Sequence, residues 1–265
     1  MDYVAVQRHI DYGRGRAGLV LGPPCSVYRV GGAGGGSGNY LDPANLVQTN
    51  VRVSRRIVTS RAALESPPRS MGSLFYELLL DATNWLTGDV FVENDPVYGA
   101  GDTEVDYSTT QFEGYCLAYH GPIKKTIGAR IDRVGLIYRP LETPDASGYW
   151  SPTLPPGQVA PLVLMGGSFS FGPPTAPASQ IPMGLMSMPR TFKAAFRDIP
   201  GDTRSTQWFC YLPPLPGYVP RSGDRIVNDS DTFASGSRYV VIHPYEQEAG
   251  LQGSQLVLER EIDPG

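Results

Sequence analysis

A chain of 265 residues with 31 Gly, 25 Pro and only 18% charged side chains is long enough to bury a core, yet its composition leans away from helix. A formal net charge of −4 argues against nucleic acid as the main ligand, because phosphate binding needs clustered Lys and Arg. No window approaches the ~20 apolar residues that span a bilayer, and no basic and apolar leader opens the chain as in a secretory signal.

In chain order, residues 2–19 read as a helix capped by Asp2, with Val4, Ile10 and Leu19 on a loose apolar face. Gly13, Gly15 and Gly18 weaken it, and Gly22-Pro23-Pro24 ends it. A first strand follows at Ser26-Val27-Tyr28-Arg29-Val30. The glycine tract 31–38 lacks the Gly-Lys-Ser/Thr ending of a phosphate loop and the dinucleotide-binding register, so it reads as a surface loop. Residues 46–58 alternate partially through Val47, Val51, Val53 and Ile57, which predicts extended structure carrying Arg outward. The basic stretch from Arg52 to Arg61 reads as a solvated strand or an interface face.

One pattern then occurs twice. Gly88-Asp89-Val90-Phe91-Val92 follows the aromatic segment Phe75-Tyr76-Glu77-Leu78-Leu79, and Gly223-Asp224-Arg225-Ile226-Val227 follows Trp208-Phe209-Cys210-Tyr211-Leu212. Each is followed by a polar stretch and a β-type run, 112–118 in the first case and 238–242 in the second. The strands Arg133–Tyr138 and Gln255–Arg260 are expected to close the two copies. Gly at the turn supplies a positive φ, and the Asp side chain bonds nearby amides. A single long offset is not a solenoid, which needs three or more short units. The expected fold class is therefore mainly β, with two related small barrel- or sandwich-like units, a long Pro/Gly-rich connector and a short N-terminal helix. The expected divisions are 1–30 for helix and first strand, 31–140 for the first β-unit, 141–191 for the connector and 192–265 for the second β-unit. Leu162, Val163, Leu164, Phe169 and Phe171 make the connector too apolar for an idle linker, so it is expected to order against other subunits.

Chemistry-bearing motifs are scarce. Neither His-Glu-x-x-His nor Gly-x-Ser-x-Gly occurs, and the expectation is no enzyme, no catalytic residue, no cofactor and no metal. His9, His120 and His243 are the three histidines, and His120 and His243 fall at similar places beside Pro in the two copies, as a shared turn would give. The acidic groups Asp102, Glu104, Asp106 and Asp224, Asp229, Asp231 lack the spacing of an EF-hand loop and read as solvated turns. Cys25, Cys116 and Cys210 form no Cys-x-x-Cys pair, and buried thiols acting as small hydrophobes are expected, with intersubunit disulfides as the other reading. The aromatic content fits core and subunit contacts, with a sugar-stacking surface as the alternative.

Several segments carry a resemblance: Leu21-Gly22-Pro23-Pro24-Cys25-Ser26-Val27-Tyr28-Arg29, Gly88-Asp89-Val90-Phe91-Val92, Ile137-Tyr138-Arg139-Pro140, and Tyr211-Leu212-Pro213-Pro214-Leu215-Pro216-Gly217 with Gly223-Asp224-Arg225-Ile226-Val227. In this order they resemble a poorly characterised family of virion structural proteins of tailed bacteriophages and prophages. The tract at 31–38 and the insertion at 93–111 are longer than that pattern. The resemblance implies a multimeric tail or baseplate component with a virion localisation after assembly in the host cytoplasm. Its implied partners are copies of itself and neighbouring tail, baseplate or neck proteins. A neck protein and a carbohydrate-binding or hydrolysing tail protein are the alternatives.

Overall fold

The computed structural model of the chain describes residues 3–30, 39–57, 74–81, 84–93, 114–120, 126–141, 159–187, 207–228, 238–245 and 252–261. The expected N-terminal helix forms as α1 (Tyr3–Leu21) and stops at the Gly-Pro-Pro sequence, where proline excludes the helical conformation from its predecessor. Its glycines have a packing role beyond their low propensity. A Cβ on Gly18 would lie 2.5 Å from the Leu79 carbonyl oxygen and 3.1 Å from that of Arg52, so the helix rests directly on strand backbone. Arg14 adds an ion pair to buried Glu77 at 3.4 Å.

The rest is strand. The first sheet comprises β1 (Pro24–Tyr28), β2 (Leu46–Arg52), β3 (Ser54–Ile57), β4 (Phe75–Leu79), β5 (Val90–Glu93), β6 (Gly114–His120) and β7 (Thr126–Ile131), in the order β2-β1-β5-β6-β7-β4-β3. Its two end strands are consecutive in the chain and separated only by Val53, whose N–H donates to Pro23 O at 3.2 Å. The sheet therefore curls back on itself. The second sheet comprises β8 (Arg133–Pro140), β9 (Val159–Met165), β10 (Ser168–Phe171), β11 (Ile181–Ser187), β12 (Gln207–Leu212), β13 (Arg225–Asn228), β14 (Arg238–Tyr245) and β15 (Ser254–Arg260). Its order is β10-β9-β8-β11-β12-β15-β14-β13, and a further β8–β13 pairing closes six of these strands into a barrel, which leaves no edge on the closed ring. The molecule is mainly β in two units with an N-terminal helix.

The two sheets are copies in register, not merely in strand order. Tyr28 faces Val90 as Tyr138 faces Arg225, and Val90 faces Cys116 as Arg225 faces Val240. Leu117 faces Gly128 as Val241 faces Leu258. Leu79 faces Ser54 as Tyr211 faces Gly184. Even the irregularity in β6 between Leu117 and Tyr119 returns in β14 between Val241 and His243.

That register corrects several sequence expectations. β8 does not close the first copy; it opens the second, in the place that β1 takes in the first, and the counterpart of β15 is β7. The aromatic segments match one residue differently than expected, with Phe75 equivalent to Gln207 and Tyr76 to Trp208. The division at 30/31 falls inside one sheet, since β1 pairs with both β2 and β5. The expected connector 141–191 is no connector over its described part, because β9, β10 and β11 belong to the second sheet. Leu162 and Phe169 are buried in its core, Val163 is buried as well, and Leu164 and Phe171 pack against that core within the same chain. Composition misled here because Pro161 and Pro182 sit within strands, and Gly166-Gly167 makes a two-residue hairpin turn rather than a flexible break.

Both copies share one hydrophobic core. Phe75, Val90, Cys116 and Ile127 of the first join Ile137, Leu162, Phe209 and Leu258 of the second, and Phe75 meets Tyr211 edge-on at 5.7 Å. A smaller cluster of Cys25, Val27, Leu78, Phe91 and Leu117 fills the first copy alone. Backbone bonds sew the seam: Asp132 N–H to Met183 O at 3.1 Å, Gln252 N–H to Ala118 O at 2.8 Å and Tyr40 N–H to Gln180 O at 3.2 Å.

Candidate functional site

The Gly-Asp sequences that mark the repeat build two clasps of the same design. Gly88 and Gly223 have φ of 97° and 93°, a left-handed conformation that glycine adopts without the steric penalty of a Cβ. Each turn places the next residue, Asp89 or Asp224, at 1% exposure. Asp89 Oδ2 accepts from Leu86 N–H at 2.7 Å, and Asp224 Oδ2 accepts from Arg221 N–H at 2.8 Å. The backbone bonds match too: Gly88 N–H donates to Leu117 O and Leu117 N–H to Asp89 O, while Gly223 N–H donates to Val241 O and Val241 N–H to Asp224 O.

An arginine closes each clasp from the strand that opens its copy. Arg29, just after β1, grips Asp89 through Nε and Nη2, both at 2.6 Å. Arg139, on β8, grips Asp224 at 2.7 and 2.9 Å. Bidentate, charge-assisted pairs of this kind offset the desolvation of the carboxylate. The second clasp has an addition: Tyr218 donates its hydroxyl to Asp224 Oδ2 at 3.0 Å, and Arg139 lies over the Phe171 ring at 4.2 Å. Burial, with the Asp224 charge next, drives the Tyr218 hydroxyl far above its ordinary pKa, so it stays a donor.

The clasp arginines and Tyr218 were not singled out by sequence reasoning. The signal was present in the repeated Tyr-Arg pairs, Tyr28-Arg29 and Tyr138-Arg139, which share a register. Of the acidic groups weighed as turns, Asp224 is not solvated but buried in its clasp. Asp102, Glu104, Asp106, Asp229 and Asp231 lie outside the described residues. His9 is exposed on α1, and His243 is exposed on β14. His120 and His243 are not equivalent, because the register aligns His243 with Tyr119.

All three cysteines are free and buried. Burial pushes the Cys25 thiol, beside Glu93, and the Cys116 thiol from 9.0 to about 12, and raises Cys210 further still. Such thiols are neutral small hydrophobes. Of the basic stretch, Arg55 and Arg56 stand outward and pair with Glu93 at 3.4 Å and Glu77 at 2.5 Å.

A cleft of about 630 Å³ opens beside the second clasp, walled by Pro214, Pro216, Tyr218, Val219, Pro244 and Gln255 among others. Its described walls hold neither carboxylate nor imidazole nor thiol, so they offer no acid–base pair for glycoside chemistry. Among the described residues, no group of three or more His, Cys, Asp or Glu is placed to hold a metal ion, and no helix is long and apolar enough to cross a membrane.

Exposed apolar side chains are concentrated elsewhere. Of the ten large hydrophobic residues exposed among the described ones, seven are on α1 and β2: Val6, Tyr12, Leu19, Val20, Leu21, Leu46 and Val47. Single exposed apolar residues are ordinary, and these seven are spread over the two elements. Comparison with known proteins finds no matching family model, no matching curated protein and no matching solved structure.

Proposed function

We propose that this chain is a non-enzymatic structural subunit of a tailed-phage virion, working as a multimer in the tail or baseplate. The observation that carries the reading is where the charge goes. Every buried charged side chain among the described residues has an opposite partner that serves the fold: Glu77 with Arg14 and Arg56, Asp89 with Arg29, Asp224 with Arg139, and Arg238 with Glu261. An active site instead needs perturbed groups free to act on a cleft; the described walls of this cleft supply no carboxylate, imidazole or thiol, and its one shifted group, the Tyr218 hydroxyl, is bound to Asp224. The apolar surface on α1 and β2 adds a place for subunit contact. The order of the Tyr-Arg, Gly-Asp and Pro-rich segments supplies the phage part of the reading.

The test is mass spectrometry of purified particles with copy number, followed by localisation in an electron density map. Presence in multiple copies at the baseplate is the expected result; the neck is the nearest competing position. A glycan-hydrolysing activity lost on one carboxylate substitution, in particles that still assemble, would sink the proposal.

A further inference from the structure

We infer that the cleft beside the second clasp binds an uncharged aromatic ring with one N–H donor, the indole of a tryptophan carried by a partner polypeptide. This goes beyond the proposed function and stands apart from it, since it requires neither a virion nor a multimer.

The internal duplication shows what the second copy lacks at this place. Leu86 and Arg221 have the same position in the two clasps, each donating its N–H to the aspartate three residues on. Pro220 therefore corresponds to Trp85. Ile226 corresponds to Phe91, because Ile226 faces Ile137 as Phe91 faces Val27. In the first copy these two rings meet edge-on at 5.5 Å, and Trp85 is buried in the cluster that fills that copy. In the second copy both rings are gone, and Pro220 lines the cleft. One copy supplies its own indole; the other leaves room for one.

The walls are held in place. β12 and β14 both run antiparallel to β15, so the β12–β13 loop and the β14–β15 turn lie at the same end of the barrel. In the loop, Tyr40 donates its hydroxyl to Pro214 O at 3.0 Å, Phe169 N–H donates to Pro216 O at 2.6 Å, and Tyr218 is bound to Asp224. In the turn, Tyr211 donates its hydroxyl to Gln252 O at 2.7 Å. Gly253 there has φ of 99°, and a Cβ on it would lie 2.5 Å from Leu212 O. A cleft of about 630 Å³ with walls fixed in this way is preformed, and it has the size and the barrel-mouth position of small-ligand sites.

Its chemistry selects the occupant. The described walls carry no charged side chain, so a charged ligand would lose hydration without gaining a partner. Pro214, Pro216, Pro220 and Pro244 offer apolar rings. Tyr218, the aromatic residue of the described walls, is only 8% exposed, which leaves no open aromatic face for a sugar. Gln255 is 2% exposed, and its Oε1 has no hydrogen-bond partner among the described residues. Buried acceptors are ordinarily paired. The terminal torsion of a glutamine is soft, so the carboxamide can turn Oε1 to a donor in the cleft. An indole has one N–H to give and no acceptor of its own, which matches one open acceptor.

The test is calorimetric titration of the full chain with three ligands. They are a blocked Ala-Trp-Ala peptide, the same peptide methylated on its indole nitrogen, and free indole. The expected result is saturable binding of the first peptide, about tenfold tighter than that of the methylated one, as loss of a single hydrogen bond gives. In Gln255→Met the two peptides are expected to bind alike. Val219→Asp places a charge at an exposed wall position and is expected to weaken all three ligands, with circular dichroism unchanged, so the site stays testable should Gln255→Met fold poorly. Absence of binding by the tryptophan peptide, equal binding of the two peptides to the native chain, or binding that survives Val219→Asp unchanged overturns the inference. Free indole binding as tightly as the peptide overturns the polypeptide as its source. Each of these outcomes leaves the virion reading, which is tested on particles, where it stands.

Discussion

The two copies keep the same backbone register and the same Arg-Asp clasp, yet the second clasp has more partners. Asp89 accepts from Arg29 and one amide. Asp224 accepts from Arg139, one amide and the Tyr218 hydroxyl, while Arg139 also lies over Phe171. Phe171 is contributed by the β9–β10 hairpin that the first copy lacks. The difference teaches that the clasp is the common element of the duplication and that the insertion reinforced one copy of it.

The strongest way to break this comparison is to empty each clasp. Asp89→Ala and Asp224→Ala each leave an arginine without its buried partner, and each is expected to cost about 3 kcal/mol in denaturant unfolding. Asp224→Ala is expected to cost more, because it also leaves the Tyr218 hydroxyl unsatisfied. Equal losses would mean that the added tyrosine contributes nothing.

A gentler change sharpens the same point. Tyr218→Phe removes the one hydroxyl that has no counterpart in the first clasp and is expected to cost about 1 kcal/mol, measured by the same unfolding curve. Asp89→Ala and Tyr218→Phe should then add, since they act in different clasps.

The smallest expected effect concerns the thiols. By register Cys116 corresponds to Val240 and Cys210 to Leu78, so the other copy places an ordinary hydrophobe at each position. Cys116→Val is expected to change stability by less than about 1.5 kcal/mol at neutral pH. The native chain should be silent to a thiol reagent at that pH. In the folded protein Cys25 and Cys116 stay protonated up to about 12, whereas the unfolded chain ionises them near 9.0. Stability is thus unaffected by these groups below pH 9 and falls as pH rises from there toward 12. Cys116→Val should flatten that decline, which a series of unfolding curves across the window will show.

The repeat was legible in the sequence because its turn needs two special residues side by side. A positive φ restricts one position to glycine, and a turn acceptor favours Asp in the next, so Gly88-Asp89 and Gly223-Asp224 stand out. The helix was legible from its Gly-Pro-Pro stop, while its expected cap, Asp2, lies outside the described residues. The copy boundary was not. Only Asp132 separates β7 from β8, so no change in composition marks the junction, and β8 reads naturally as a continuation. Strands β9 to β11 were hidden by prolines that composition assigns to linkers, although Pro161 and Pro182 occupy strand positions. The clasp arginines were hidden for another reason. Arg29 and Asp89, or Arg139 and Asp224, are far apart in the chain, and only the register that pairs β1 with β5 and β8 with β13 brings them together.

That single-residue junction limits how this protein can be divided. Tandem domains on a spacer can be expressed, exchanged or lost one at a time. Here a cut at Asp132 would strip Leu74 and Phe75 of the first copy and Tyr211 of the second of the surfaces that bury them. Each half would expose part of the core that the two now share. The shared core and the one-residue junction make the two copies one folding unit.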